Sequence, residues 1–202
     1  MTERFMKLIS MVFHPLLMPT YSFGILFLFI PEVIMPLTIV TLPFLFITTF
    51  IIPLLSVSML KITGSISSFK LENREERLTP FSFVTIFYGI TSYMFIYKIQ
   101  VNDAVATMLL TTTILVLLTT LITAKFKISI HAAGISGVVG FLVYFGIYFP
   151  SNQIIALITI GIALAGIVMS SRLFLQAHTL REVTVGACLG VTITFSGLYF
   201  FG

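Results

Sequence analysis

The chain has 202 residues, of which 58% are hydrophobic and 9% charged, and its mean hydropathy is +1.13. A soluble domain carries roughly 45–50% apolar residues, so the composition excludes a water-soluble fold and reads as a polytopic membrane protein. The net charge of +4 does not point to nucleic acid, because Lys and Arg sit in short loops beside apolar runs, where orientation in the bilayer accounts for them.

Residues 1–10 carry Arg4 and Lys7 and read as an interfacial segment. The apolar run that follows is long and shows no small-residue cleavage site, so it reads as a first span, about 12–30, rather than a cleaved signal. Pro15 and Pro19 break it early and free carbonyls that neighbouring helices must satisfy. His14 reads as a cap for the kinked end, the other reading being a headgroup contact. A turn at 31–36 with Glu32 leads to a second span at 37–60, which contains Pro43 and Pro53. The polar stretch 61–80 ends in KLENREERLTP. Lys70, Arg74 and Arg77 there fall at spacings of four and three on one helical face, interleaved with Glu72, Glu75 and Glu76; taken alone, this is a solvated, salt-bridged loop helix.

Runs 81–97 and 104–124, separated by the polar link 98–103, read as a hairpin of two spans. The first barely reaches the roughly 17–25 residues that a crossing needs. A third polar stretch, KFKISIH at 125–131, leads into 132–149, where Gly134, Gly137, Gly140 and Gly146 allow close helix approach. A turn at 150–153 precedes a sixth span at 154–170, and a last span covers 183–201. The single cysteine, Cys188, excludes an internal disulfide and reads as a packing residue in that span. The expectation is one integral-membrane domain over 1–202, an all-α helix bundle of about six to seven spans.

Between the last two spans lies the polar island SRLFLQAHTLRE, 171–182. His178 and Glu182 are four apart and share a helical face. A carboxylate beside an imidazole fixes its tautomer, which suits a base or nucleophile. Arg172, six residues earlier, is near enough to grip an anion that the ring attacks. With seven spans, parity puts the N-terminus and the stretches 61–80, 125–129 and 171–182 on one side, so Lys70, Arg77, His131, Arg172, His178 and Glu182 can converge. Ionisable residues gathered at the end of an apolar bundle are a functional candidate by default. Two arginines and a lysine suit a multiply charged oxyanion, and the two histidines suit phosphoryl transfer within that clamp. No carboxylate cluster, HExxH or glycine-rich phosphate loop is present.

These residues resemble the three motifs of the type 2 phosphatidic acid phosphatase superfamily, KxxxxxxRP, PSGH and SRxxxxxHxxxD. Lys70 and Arg77 have the first spacing, with Leu78 where the proline stands and Pro80 two places on. Ser129, Ile130 and His131 take the place of SGH, with Ile128 for the proline and Ile130 for the glycine. Ser171, Arg172 and His178 match the third motif, and Glu182 replaces its aspartate. The resemblance spans Lys70 to Glu182 in the right order. It implies a phosphatase/haloperoxidase-like core. His178 would be the nucleophile that forms a phosphohistidine, His131 the acid or base, and Glu182 the carboxylate orienting His178. Lys70, Arg77, Ser129 and Arg172 would clamp the phosphate, and Ser171 would be a supporting or helix-end group. Arg74 and Arg181 match no family role and read as positive-inside charges or headgroup contacts. The hairpin between the first and second motifs departs from the family's single loop.

The function so implied is metal-independent hydrolysis, without a cofactor, of a phosphomonoester or pyrophosphate on a membrane lipid. Phosphatidic acid, phosphatidylglycerol phosphate and a polyprenyl diphosphate all fit. The partners are that lipid and the bilayer, and the setting implied is a bacterial inner membrane. The alternative is a non-catalytic membrane protein that binds or transports anionic lipids through the same basic face. Arg4, Lys7, Lys61, Arg74, Lys125, Lys127 and Arg181 fall on the motif side against Lys98 on the other, so the positive-inside rule turns that side to the cytoplasm.

Overall fold

The structure, a computed structural model, describes residues 2–35, 37, 39, 41–68 and 75–202. Among them every regular element is helical, and seven helices are long and apolar enough to cross a membrane. The first span joins α1 (Thr2–Val12) to α2 (Met18–Phe29) through a 3-10 turn at Pro15–Leu17. After the short α3 (Pro31–Ile34), the second span runs through α4 (Thr41–Phe46), a π-helical turn at Ile47–Ile51 and α5 (Ile52–Ile62). The third is α6 (Leu78–Tyr93) with a π-helical end at Met94–Ile99, and the remaining four are α7 (Asp103–Thr123), α8 (Ile130–Tyr148), α9 (Asn152–Phe174) and α10 (Leu180–Phe201).

The segment before the kink is a helix of its own, α1, which buries Ile9 and Ser10 against α9 while Phe5, Leu8, Met11 and Val12 stay exposed. Two local features depart from the sequence expectation. The third span starts at Leu78, since Pro80 falls in the first turn, where a missing N–H leaves no bond unmade. Cys188 is exposed rather than packed. The buried stripe of α10 is Val183, Gly186, Gly190, Thr194 and Leu198, and Cys188 lies off it. Elsewhere the expectation holds. α6 and α7 form the hairpin, joined by Ser92 to Thr113 (2.9 Å) and Thr85 to Thr120 (3.1 Å). The π-helical turn before Pro53, where Ile52 N–H reaches Ile47 O, accommodates the proline that cannot donate.

α8 is the centre of the bundle: 67% of its apolar window is buried, against 22–44% for the other spans. Its closest partner is α10. A Cβ on Gly190 would lie 2.2 Å from Ala133 O, and one on Gly186 would lie 2.5 Å from Ser129 O, so only glycine permits the backbones to meet. Thr194 Oγ1 donates to Gly137 O at 2.9 Å, and Ser129 N–H donates to Glu182 O at 3.2 Å. Residues 182, 186, 190 and 194 thus track 129, 133 and 137. The two helices run parallel and both begin at the same end of the bundle.

This packing predicts that Gly190→Ala destabilises the bundle by at least the about 1–3 kcal/mol of a typical overpacked site. Gly166→Ala should match wild type, because a Cβ there meets nothing within 4 Å. Thermal melts in detergent check this, and indistinguishable melts for the two variants would contradict the close backbone contact.

Candidate functional site

The two parallel helices begin with side-chain caps. Ser129 N-caps α8, its hydroxyl accepting from Ala132 N–H at 3.4 Å, and the residue is fully buried. Thr179 N-caps α10 in a capping box with Glu182: Thr179 Oγ1 accepts from Glu182 N–H (3.4 Å), and Glu182 Oε2 accepts from Thr179 N–H (3.2 Å). The same carboxylate oxygen accepts from His178 Nδ1 at 2.8 Å. Both side chains of this pair are well covered, 8% and 14% exposed. Because Nδ1 must carry the proton to donate to the carboxylate, Nε2 of His178 holds the free lone pair. It makes no hydrogen bond among the described residues.

Burial pushes the His178 pKa down to about 4, and the Arg172 and Lys127 charges push the same way, while the Glu182 hydrogen bond and charge oppose them. At neutral pH the ring is therefore uncharged. Arg172, in the last turn of α9, donates from a terminal nitrogen to Ser10 Oγ at 3.2 Å. Its Nε is buried and has no hydrogen-bond partner among the described residues. A buried donor left unsatisfied costs about 1–3 kcal/mol, more when charged, and an oxyanion would relieve that cost. Arg77 closes the 3-10 turn Glu75–Arg77 at the head of α6 and is 6% exposed. Burial lowers its pKa below the ordinary arginine value, with the Glu182 charge acting in the other direction.

His131 lies in the first turn of α8, half-buried, and its Nε2 donates to Ser10 O at 3.1 Å. Arg172, His14 and His178 all act on it electrostatically. The structure thus gathers Arg77, Ser129, His131, Arg172, His178 and Glu182 at one end of the bundle, the end that parity assigns. Lys70 and Arg74 lie outside the described residues. Ser171 is fully buried and ties α9 to α1, donating to Met6 O at 3.1 Å and sharing a 2.7 Å bond with Ser10 Oγ. Arg181 sits over the Phe126 ring at 5.5 Å, a cation–π contact beside the site. Among the described residues no three of His, Cys, Asp and Glu converge as a metal-ligand set.

No family model, curated protein or solved structure matches the chain, so its own geometry carries the functional reading. Two residues of the cluster have no counterpart in the motif reasoning, Ser10 and His14. Ser10 touches Ser171, Arg172 and His131 at once. His14 is the expected cap, its Nδ1 accepting from Leu16 N–H at 3.3 Å, but its ring also meets that of His131, 5.6 Å between centroids. The signal available in the sequence was parity alone, which puts the start of the chain at this end.

The imidazole titration of the labelled protein, with His178 assigned by its loss in His178→Gln, should give a midpoint near 4 for His178, below its ordinary 6.5. Unfolded His178 takes its proton near pH 6.5 and the folded ring only near 4. Stability should therefore fall as pH drops across that interval, and His178→Gln should flatten the slope. A midpoint at or above 6.5 contradicts the buried, neutral ring.

Proposed function

We propose that this protein is a membrane lipid phosphatase of the type 2 phosphatidic acid phosphatase kind, with His178 as nucleophile. The observation that carries the reading is the His178–Glu182 pair beside Arg172, with neither His178 Nε2 nor the buried Arg172 Nε hydrogen-bonded among the described residues. The parallel helices α8 and α10 add to it, because both present their N-terminal, positive ends here.

The chemistry follows from those groups. Arg172 and Arg77, with Lys70 from the preceding stretch, hold the phosphoryl oxygens and neutralise charge that builds in flight. The His178 Nε2 lone pair attacks phosphorus. The phosphorus–oxygen bond to the lipid breaks, and its electron pair leaves on the lipid oxygen, which takes the proton carried by the monoanionic phosphoryl group, relayed through His131 Nδ1. Water then attacks the phosphohistidine, giving its proton to His131 Nδ1 while the nitrogen–phosphorus pair returns to His178. Glu182 stabilises the positive ring in both steps. Ser129 contributes by capping α8 and so fixing His131. The lipid tail stays among the apolar spans, and phosphatidic acid, phosphatidylglycerol phosphate and a polyprenyl diphosphate are the substrates to compare. The Lys and Arg distribution turns this end to the cytoplasm.

Purified protein in detergent with EDTA should release phosphate from at least one of these lipids, and His178→Ala should lower the rate by more than about 10³-fold. Arg172→Lys keeps the charge but loses the fork and the Nε donor; it should weaken inhibition by vanadate, a mimic of five-coordinate phosphorus, about tenfold. Lipid binding that survives in a wild-type protein without turnover would instead mark a protein that binds or transports anionic lipids.

A further inference from the structure

Ser10 and His14 belong to no motif, yet they surround His131. The chain reaches this position through a kink. His14 is extended, with φ −66° and ψ 136°, and caps the turn that Pro15 begins. That turn packs on α8 one helical turn beyond His131: a Cβ on Gly134 would meet Met18 Cγ at 3.0 Å and Pro15 Cα at 3.5 Å. Glycine at 134 therefore lets the kink come down onto α8. The consequence is that Ser10 O accepts from His131 Nε2 at 3.1 Å and the His14 ring stands edge-on to the His131 ring at an interplanar angle of 80°. His14 has its own tautomer fixed, since Nδ1 accepts from Leu16 N–H and Nε2 must carry the hydrogen. The hydroxyl of Ser10 meanwhile holds Arg172 and Ser171.

We infer that the kinked segment from Ser10 to His14 is a positioning element of the site: it pins the His131 proton on Nε2 and leaves Nδ1 as the nitrogen through which His131 exchanges protons. The contribution of His131 to turnover rests on the phosphatase reading; the fixed tautomer does not. A backbone carbonyl cannot take up a proton, so a bond from Nε2 to Ser10 O is retained whichever way His131 titrates. Proton traffic is thereby confined to the other ring nitrogen, which suits the water-dependent second step. His14 keeps the ring from turning away, and the Arg172 charge and the His178 ring lie near the same imidazole.

The test uses full-length protein carrying ¹⁵N-histidine, with His131 assigned by His131→Gln. Wild type should show neutral His131 with hydrogen on Nε2. His14→Asn keeps an acceptor for Leu16 N–H but removes the ring, and should give mixed His131 tautomers at an unchanged melting temperature. His14→Phe keeps a ring against His131 and loses the cap, and should preserve the wild-type tautomer better than His14→Asn. With a ³²P-labelled lipid phosphate, His14→Asn should slow both phosphohistidine formation and steady turnover about tenfold while the melting temperature is unchanged. A wild-type His131 with hydrogen on Nδ1, or a His14→Asn spectrum and turnover equal to wild type, overturns the inference. So does a parallel loss of burst, turnover and melting temperature, which marks a structural role only. A wild type that keeps the Nε2–H tautomer, sensitive to His14→Asn, yet forms no phosphohistidine with any of the lipids upholds the positioning role and overturns the phosphatase reading.

Discussion

The backbone-to-backbone approach of α8 and α10 governs everything else at this end of the molecule. Gly186 and Gly190 let α10 lie against the carbonyls of Ser129 and Ala133, and the amide of Ser129 is tied to the carbonyl of Glu182. In a lipid environment no hydrophobic effect drives helices together, so packing without side chains between them is an effective substitute. Because the two helices are parallel, the contact also sets their starts side by side. His131 in the first turn of α8 and the His178–Glu182 pair at the start of α10 become neighbours through that register.

The same contact shapes the electrostatics. Two helix N-termini contribute partial positive charge, and buried Arg77 and half-buried Arg172 add full charges. Against them stands Glu182, whose one carboxylate caps α10, orients His178 and faces Arg77. Arg172 has a buried Nε that nothing among the described residues accepts from. A desolvated cation of this kind costs stability unless an anion completes it, which supports the proposal that the cluster holds an oxyanion.

Much of this was legible in the residues themselves. Hydropathy placed about six to seven spans, and the structure has seven helices long enough to cross; parity placed the polar stretches at one end, and Arg77, His131, Arg172, His178 and Glu182 do meet there. The four-residue spacing of His178 and Glu182 gave their contact correctly, although it arises from a cap at the start of α10 and not from a helix that includes both. α1 forms a separate amphipathic helix, with Ile9 and Ser10 packed on α9. One reading missed for a physical reason. Cys188 looked like core because its neighbours are apolar, a pattern that cannot tell a buried stripe from a lipid-facing one.

The sequence by itself determined that the chain crosses a membrane, which loops share a side, and which ionisable residues that side holds, because apolar length and crossing parity are properties of the chain read in order. Only the tertiary structure decided which of those residues touch. Ser10 and His14 reach His131 because a proline kink meets a glycine on another helix, and among the described residues Arg172 keeps an unmatched donor because of what packs around it. Such facts depend on distances between segments far apart in the chain, and no local pattern in the residues encodes them.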